Sequence, residues 1–284
     1  MKVLLADKCG FCLGVNSAIE LAKKTLAERD NVYSLGPIIH NQDVVEELAR
    51  SGLKTVESVD SIDSGTVLIR SHGATARQLE QIKHKGLQMV DATCVLVKRL
   101  QKISQKLNEQ GYKVVVVGDR NHPEVQAIVG FSKNVLVVGS RTDLQMLPRR
   151  GKLGVICQTT QSPQYFAEIL AEVVKRGFSE LKVINTLCSE AIKRQSSAVE
   201  LCRKVDIMFV LGGLHSANTR KLAELCKKHN NRTFHLQNWK ELDKMLLYGK
   251  NIAGVTAGAS TPDRIIAEFV EKLRDFDSHG DDKV

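Results

Sequence analysis

The chain has 284 residues, of which 43% are apolar, and its 41 Lys and Arg against 32 Asp and Glu give a net charge of +9. This composition excludes an intrinsically disordered protein and is typical of a globular chain with two or three small domains. No apolar run approaches the ~18 residues that span a bilayer, and the opening apolar stretch is too short for a signal peptide. We therefore expect a cytoplasmic protein.

The seven cysteines, at positions 9, 12, 94, 157, 188, 202 and 226, are an odd number. In a reducing compartment this does not favour a disulfide framework, so we expect some to be ligands or reactive thiols and others to be core. The basic excess could attract nucleic acid or a small anion. Because Lys and Arg form no dense block with aromatic residues, we interpret most of these charges as solvated surface.

Apolar periodicity predicts three successive rounds of strands and helices. A strand at 2–6 precedes the first round, which has strands at 31–36, 53–56, 65–70 and 87–90, with helices at 14–29, 44–49 and 76–85. The second has strands at 113–118, 135–138, 154–157 and 181–184, with helices at 98–109 and 163–175. The third has strands at 206–212, 233–236 and 252–256, with helices at 192–203, 219–228, 240–247 and 262–276. Such alternation favours parallel sheets with helical crossovers.

An apolar run, a cysteine and a helix recur in each round, with spacings of 82 residues from Cys12 to Cys94 and 94 residues from Cys94 to Cys188. The third round lacks a closing strand, so we expect the N-terminal strand to cross back and supply it. The predicted fold class is α/β, with three quasi-repeated small domains, each a mainly parallel sheet with flanking helices. The predicted domains are 13–94, 95–188, and 189–277 together with 1–12, followed by a disordered tail at 278–284.

Polar residues and cysteines follow the carboxyl ends of the predicted strands, where open parallel sheets bind their ligands. Each round contributes one cysteine and members of two polar sets, which are His40, His122, Ser216 and Asn218 after the first strands, and His72, Thr159, Thr160, Ser260 and Thr261 after the third. Helices that begin at such loops also offer free N–H groups to an anion. This pattern predicts one shared site for an anionic ligand held against a metal centre.

Several interpretations of the cysteines remain open from spacing alone. Three cysteines and a histidine could bind zinc, three thiolates could hold an iron–sulfur cluster with one open iron, or the cysteines could be buried core. Cys9 and Cys12 form a CxxC that could be a redox pair, and the distance from the strand end favours Cys9 as the ligand. We interpret Cys157, Cys202 and Cys226 as core, and the histidines at 84, 215, 229, 235 and 279 as surface or loop residues.

A series of motifs from residue 1 to about 277 resembles those of the 4-hydroxy-3-methylbut-2-enyl diphosphate reductase family, which catalyses the last step of the non-mevalonate isoprenoid pathway. The motifs are Gly10-Phe11-Cys12-x-Gly14-Val15, Ile39-His40-Asn41, Ser71-His72-Gly73, Asp91-Ala92-Thr93-Cys94-x-Leu96-Val97, His122-Pro123-Glu124-Val125, Gln158-Thr159-Thr160 and Thr256-Ala257-Gly258-Ala259-Ser260.

The resemblance implies a trefoil of the three domains around one oxygen-sensitive [4Fe-4S] cluster per chain, held by Cys12, Cys94 and Cys188. The fourth iron would bind the allylic hydroxyl as a Lewis acid. Glu124, helped by Thr159 and close to His122, would relay protons, and two single electrons from a donor such as flavodoxin or ferredoxin would complete the reduction to isopentenyl and dimethylallyl diphosphates. The resemblance implies that the diphosphate is bound by His40, His72, His122, Thr159, Thr160, Ser216, Asn218 and Ser260.

On this interpretation the partners are an allylic diphosphate and an electron donor, not nucleic acid or a membrane, and the chain is a monomer or homodimer. The family pattern selects Cys12 over Cys9. This chain departs from the pattern at Glu190 and Ala191, where Ala-Thr is usual, and at Ala217, which replaces a frequent serine. The alternative is a thiol or metal sensor that binds nucleic acid, supported by the net charge and the CxxC; a nicotinamide enzyme is not favoured, because no G-x-G-x-x-G follows a strand.

Overall fold

The computed structural model describes residues 1–214 and 216–276. Its first elements in chain order are β1 (Lys2–Leu5), α1 (Leu13–Glu28), β2 (Val32–Leu35), α2 (Gln42–Arg50), β3 (Lys54–Val56), β4 (Thr66–Ile69), α3 (Ala76–His84) and β5 (Gln88–Asp91). They are followed by α4 (Val95–Glu109), β6 (Lys113–Val117), α5 (Pro123–Val129), β7 (Val135–Val138), β8 (Lys152–Cys157), α6 (Pro163–Val174) and β9 (Glu180–Val183). The last elements are α7 (Ser189–Cys202), β10 (Ile207–Leu211), α8 (Ala217–His229), β11 (Thr233–Leu236), β12 (Ile252–Ala257) and α9 (Asp263–Asp275).

These strands form three sheets of four strands each, with the orders β3-β2-β4-β5, β7-β6-β8-β9 and β11-β10-β12-β1. Every neighbouring pair is parallel. The three sheets have the same strand order. In each sheet the first strand of the round (β2, β6 or β10) lies between the second (β3, β7 or β11) and the third (β4, β8 or β12), and the fourth position lies beside the third. The predicted fold class, with three α/β units built on parallel sheets, is therefore confirmed.

The N-terminal strand β1 occupies the fourth position of the third sheet, the position that β5 and β9 hold in the other two. It pairs with β12 in the register Lys2 with Ile252 to Leu5 with Val255. The terminal amine donates hydrogen bonds to the carbonyls of Arg274 (3.3 Å) and Phe276 (3.1 Å), at the C-terminal end of α9. Strand β1 therefore pairs with β12, and the residue before it is hydrogen-bonded to the end of α9.

The chain divides into two compact units. We call the terminal unit residues 1–15, 39–46 and the chain from Ser189 onward, which includes the third sheet, and the middle unit residues 16–38 and 47–188, which includes the first two sheets. The domain boundaries at residues 94 and 188 stay a prediction, as does the disordered tail at 278–284, which lies outside the described residues.

The valine run of β6 illustrates how the sequence selects a central strand. Val114, Val115, Val116 and Val117 are all fully buried. Since successive side chains point to opposite faces of a sheet, Val114 and Val116 pack with residues of α4 and α5, and Val115 and Val117 pack with residues of α6. Burying each valine contributes about 1.5–3 kcal/mol relative to exposure, so helices cover both faces of this sheet.

Apolar clusters also cover both faces of the third sheet. On one face, the Phe209 and Phe269 rings lie 5.2 Å apart, and Trp239 lies 5.4 Å from Phe269. On the other face, Cys202 of α7 and Cys226 of α8 belong to one apolar cluster. Both are buried, as is Cys157 in β8, so the prediction that these three cysteines are core is confirmed.

Two predictions about the region of the third sheet are wrong. Residues 240–247 form two short 3-10 turns, Trp239–Glu241 and Lys244–Leu247, in place of an α-helix. Each turn is capped by a side chain, because Asn238 accepts a hydrogen bond from the N–H of Lys240 and Asp243 accepts one from that of Met245, both at 2.9 Å. His235, expected on the surface or in a loop, lies half-buried in β11 with Nε2 3.0 Å from the Gly212 carbonyl.

His84 and His229 are exposed, as predicted, while His215 and His279 lie outside the described residues. In the described part of the chain, no helix combines the length and the apolar character needed to cross a membrane.

Candidate active site

Each of the three predicted ligand cysteines lies at the start of a helix. Cys94 is the N-cap of α4, Cys12 directly precedes α1, and Cys188 directly precedes α7. The first N–H groups of a helix lack intrahelical partners and carry partial positive charge, which favours a negatively charged sulfur nearby. Helix α4 begins three residues earlier than predicted, since Val97 and Leu100 already belong to its buried stripe.

The same hydrogen bond fixes all three cysteines. In each case the cysteine N–H donates to the carbonyl of the residue two positions after the end of the third strand in its sheet. The acceptors are Ala259 for Cys12 (3.2 Å), Ser71 for Cys94 (3.0 Å) and Thr159 for Cys188 (2.8 Å). The repeat seen in the sequence therefore extends to the backbone contacts of the site.

This contact distinguishes Cys12 from Cys9. Cys12 makes the shared hydrogen bond, whereas Cys9 packs against the apolar cluster of the third sheet. Burial raises the pKa of the Cys9 thiol, against a lowering by the nearby charge of Arg194. The distance from the strand end favours Cys9, but the loop after β1 is longer than the loops after β5 and β9, and Cys12 is the residue that makes the shared backbone contact.

Glu124 is the most deeply buried of the predicted site residues in the middle unit, with 2% of its surface exposed. It lies in the first turn of α5, whose N-cap is His122, and its N–H donates to His122 Nδ1 at 3.2 Å. Both carboxylate oxygens accept hydrogen bonds from Thr159, Oε1 from the backbone N–H at 2.7 Å and Oε2 from the hydroxyl at 2.8 Å. The carboxylate is thus held in one orientation by two donors of a single residue.

His72 and His122 are neighbours in the same unit, with ring centroids 5.5 Å apart and planes at 82°. The turn that presents His72 depends on Gly73, whose φ is +82° and whose added Cβ would lie 3.0 Å from Gln101 Nε2. Ser71, which accepts the Cys94 hydrogen bond, places its hydroxyl 3.5 Å from His72 Nδ1.

These contacts form one continuous path through the middle unit. It runs from Cys94 through Ser71 and His72 to His122, and then through Glu124 and Thr159 to Cys188. The unit therefore brings together two predicted ligands, two of the three predicted histidines and the predicted proton donor.

Gln158 is a positioning residue to which the sequence analysis assigned no role. It is 1% exposed, its Nε2 donates to Thr160 Oγ1 at 3.3 Å, and its Oε1 accepts from the N–H of Asp119 at 3.0 Å. It therefore orients the predicted Thr160 hydroxyl and ties the loop after β8 to the loop after β6. Its place in the Gln158-Thr159-Thr160 motif is the sequence signal that could have identified it.

The terminal unit brings together a second set of predicted residues. Ser216 is the N-cap of α8 and accepts a hydrogen bond from the N–H of Thr219 at 3.3 Å, and Asn218 follows in the first turn. The Ser260 hydroxyl donates to the His40 carbonyl at 3.1 Å. The same carbonyl would lie 3.1 Å from a Cβ at residue 213, so glycine there permits a close approach of the two loops. Ser216 and Ser260 are both buried.

The family departures are accommodated locally. Glu190 lies in the first turn of α7, where a negative charge is favourable, and it forms a long ion pair with Lys8 at 4.0 Å. Ala217 is the first residue of α8, so the serine that it replaces is not needed for the cap that Ser216 provides.

Comparison with known proteins identifies the family. Residues 3–274 match the model of the LytB protein family. The chain is 43% identical to 4-hydroxy-3-methylbut-2-enyl diphosphate reductase of Geobacter metallireducens, covering 98% of this chain and 99% of the relative, and 44% identical to that of Trichlorobacter lovleyi, covering 96% and 98%.

Two solved structures agree with these relatives. The chain is similar to (E)-4-hydroxy-3-methyl-but-2-enyl diphosphate reductase, described as the terminal enzyme of the non-mevalonate pathway, with a TM-score of 0.72, 37% identity, and coverage of 97% of this chain and 100% of that one. It is also similar to the E-1-hydroxy-2-methyl-but-2-enyl-4-diphosphate reductase of Plasmodium falciparum, with a TM-score of 0.92, 27% identity, and coverage of 98% and 89%. The chain belongs to the LytB family.

Proposed function

We propose that the chain is an iron–sulfur oxidoreductase that removes the hydroxyl group of 4-hydroxy-3-methylbut-2-enyl diphosphate and yields isopentenyl and dimethylallyl diphosphates. Each turnover consumes two electrons, taken singly, and two protons, and releases one water. The observation that carries the proposal is the path of contacts from the Cys94 N–H to the Cys188 N–H, which includes two histidines and the buried side chain of Glu124. The names and full-length similarity of the relatives support it.

One [4Fe-4S] cluster per chain is the proposed cofactor, and Cys12, Cys94 and Cys188 are its proposed ligands. The donor set fits, because all three are partly exposed cysteines at helix starts that form no disulfide in the described residues, whereas Cys157, Cys202 and Cys226 are buried in the core. Three thiolates leave one position of a four-iron cluster open. When bound, the cluster would supply single electrons and a Lewis acid for the allylic oxygen.

Proton transfer is assigned to Glu124 and Thr159. Hydroxide is a poor leaving group, so a proton must reach the allylic oxygen as the C–O bond breaks. The Thr159 hydroxyl can both accept and donate, and its hydrogen bond to Glu124 Oε2 lets a proton pass between them. His122 holds the Glu124 backbone and thereby fixes the start of α5. We propose that Glu124 delivers protons to the hydroxyl and to the allyl fragment.

Diphosphate binding is assigned to the remaining polar residues. Their hydroxyl, imidazole and amide groups can donate to phosphate oxygens, and the start of α8 adds backbone N–H groups with the positive end of the helix dipole. The proposed residues are His40, His72, His122, Thr159, Thr160, Ser216, Asn218 and Ser260.

The proposed partners are the allylic diphosphate and a one-electron donor such as flavodoxin or ferredoxin. We propose a cytoplasmic monomer or homodimer that binds neither nucleic acid nor a membrane. The alternative, a nucleic-acid-binding thiol or metal sensor, is not favoured, because relatives that match nearly the whole chain are named as reductases.

Anaerobic purification followed by iron and turnover measurements tests the proposal. We expect a brown protein with about four iron atoms per chain that consumes the allylic diphosphate when dithionite is present. A colourless protein that contains only zinc, or an iron-loaded protein that leaves the substrate unchanged, would overturn it.

A further inference from the structure

Helix α4 carries a basic surface that the proposed site does not use. Val95, Lys98, Arg99, Lys102, Ile103 and Lys106 follow one another at spacings of one or three residues and line a groove along one side of the helix. The sequence of α4 contains four cations and one anion, Glu109. We call this surface the α4 basic face.

The three helices that begin at the proposed ligand cysteines differ in charge. Helix α1 contains two glutamates and two lysines, and α7 contains two glutamates, one lysine and one arginine, so each has no net charge. Only α4 among these three has a net positive charge.

Most of this charge is available to a partner. Lys98 forms an ion pair with Asp91 at 2.6 Å, but Arg99, Lys102 and Lys106 form no ion pair within residues 1–214 and 216–276. All three of these side chains are exposed. A cluster of positive charges attracts a negatively charged macromolecule toward the surface and so raises the rate of association.

The groove also has an apolar end next to the proposed cluster site. Val95 is 76% exposed and directly follows Cys94, and Ile103 is half-buried further along the same face. Protein–protein interfaces combine apolar contacts with polar and charged ones, and this groove offers both. A partner bound there would lie one residue from a proposed ligand, and a short path is what single-electron transfer needs.

We propose that the α4 basic face is the docking surface for the electron donor, a small redox protein with an acidic surface. The inference rests on the proposed function, since it requires Cys94 to be a ligand. Each encounter would oxidise the donor by one electron, and two encounters would supply the two electrons of one turnover. Nucleic acid is less suitable as the occupant, because the exposed valine at the end of the face next to Cys94 offers nothing to a phosphate backbone.

The double variant Arg99→Glu, Lys102→Glu tests this surface, with Arg176→Glu, Lys244→Glu as the matched control. The control reverses one exposed arginine and one exposed lysine outside α4, as the variant does within it, and gives the same net charge. With an acidic ferredoxin as the probe, we expect the Kd and the donor KM to rise about tenfold or more in the α4 variant and to stay unchanged in the control. The rate with dithionite should be the same in all three proteins.

A second measurement does not depend on turnover. Bound ferredoxin should protect backbone amides within residues 95–106 from hydrogen exchange, and added salt should weaken binding of the unaltered chain more than that of the α4 variant. Unchanged ferredoxin affinity in the α4 variant would overturn the inference. The inference would also be overturned if the unaltered chain bound duplex DNA and the α4 variant lost that binding but kept the same donor KM. If the iron-loaded chain fails to turn over even with dithionite, the proposed function fails, and the docking inference fails with it.

Discussion

Replacing Glu124 with glutamine separates its proposed chemical role from its structural one. The side chain is 2% exposed, and both of its oxygens accept hydrogen bonds from Thr159. Glutamine has nearly the same shape. Its carbonyl oxygen can keep the bond from the Thr159 N–H, and its NH₂ group can donate to the Thr159 hydroxyl, which then accepts.

The expected effects on stability and turnover differ greatly in size. Each of the two hydrogen bonds from Thr159 has a neutral counterpart in the glutamine, and the exchange changes the free energy of unfolding by about 1 kcal/mol for each bond. The free energy of unfolding should therefore change by no more than about 2 kcal/mol. A glutamine cannot deliver a proton, and loss of a general acid lowers the rate by about 10²–10⁴-fold.

The assay compares the iron content, the unfolding midpoint and the dithionite-driven turnover of Glu124→Gln with those of the unaltered chain. Glu241→Gln is a suitable control, because the Glu241 carboxylate also accepts from a backbone N–H and a side-chain donor, both belonging to Gln237, and is not a proposed site residue. Normal turnover in Glu124→Gln would refute the proton role. Loss of iron together with turnover would show that Glu124 acts mainly through the structure.

Three further predictions concern other parts of the chain. Cys188→Ser should lose intact cluster, whereas Cys9→Ser should keep it, and iron per chain measured after anaerobic purification distinguishes the two. Gly258→Ala should destabilise the fold by about 1–3 kcal/mol, since the added Cβ would lie 2.1 Å from Thr219 Oγ1; an unchanged denaturation midpoint would contradict this. Burial lowers the pKa of His235, so the folded state binds fewer protons than the unfolded state, and stability should fall as the pH drops below about 6.5. His235→Gln should reduce that slope in denaturation curves recorded between roughly pH 7.5 and 5.5, and an unchanged slope would contradict the assignment.

The sequence predicted the strands well where burial alone determines them. Every residue of β6 and β10 is apolar apart from Lys113, and such runs can be satisfied only in a sheet covered on both faces. The missing closing strand of the third round was also readable from the sequence, since parallel strands of one sheet need not be neighbours in the chain. The N-terminal strand β1 fills that position.

Prediction was weaker where short polar side chains compete with backbone hydrogen bonds. Apolar spacing around Leu242 and Leu247 indicates a helix, but Asn238 and Asp243 each cap a single turn and interrupt it. Spacing from the strand end favours Cys9, whereas the family pattern selects Cys12. The contact from the Cys12 N–H to Ala259, which spacing could not reveal, is equivalent to the contacts of Cys94 and Cys188. The orientation of Glu124 by Thr159 joins residues 35 positions apart, and no local pattern encodes such a contact.

The electron balance of turnover tests the central claim most directly. The iron-loaded chain would be mixed anaerobically with 4-hydroxy-3-methylbut-2-enyl diphosphate and reduced methyl viologen, and the viologen oxidised would be compared with the products formed. The proposed reductase predicts two viologen electrons for each isopentenyl or dimethylallyl diphosphate. Oxidation of viologen without either product, or product formed without oxidation, would contradict it.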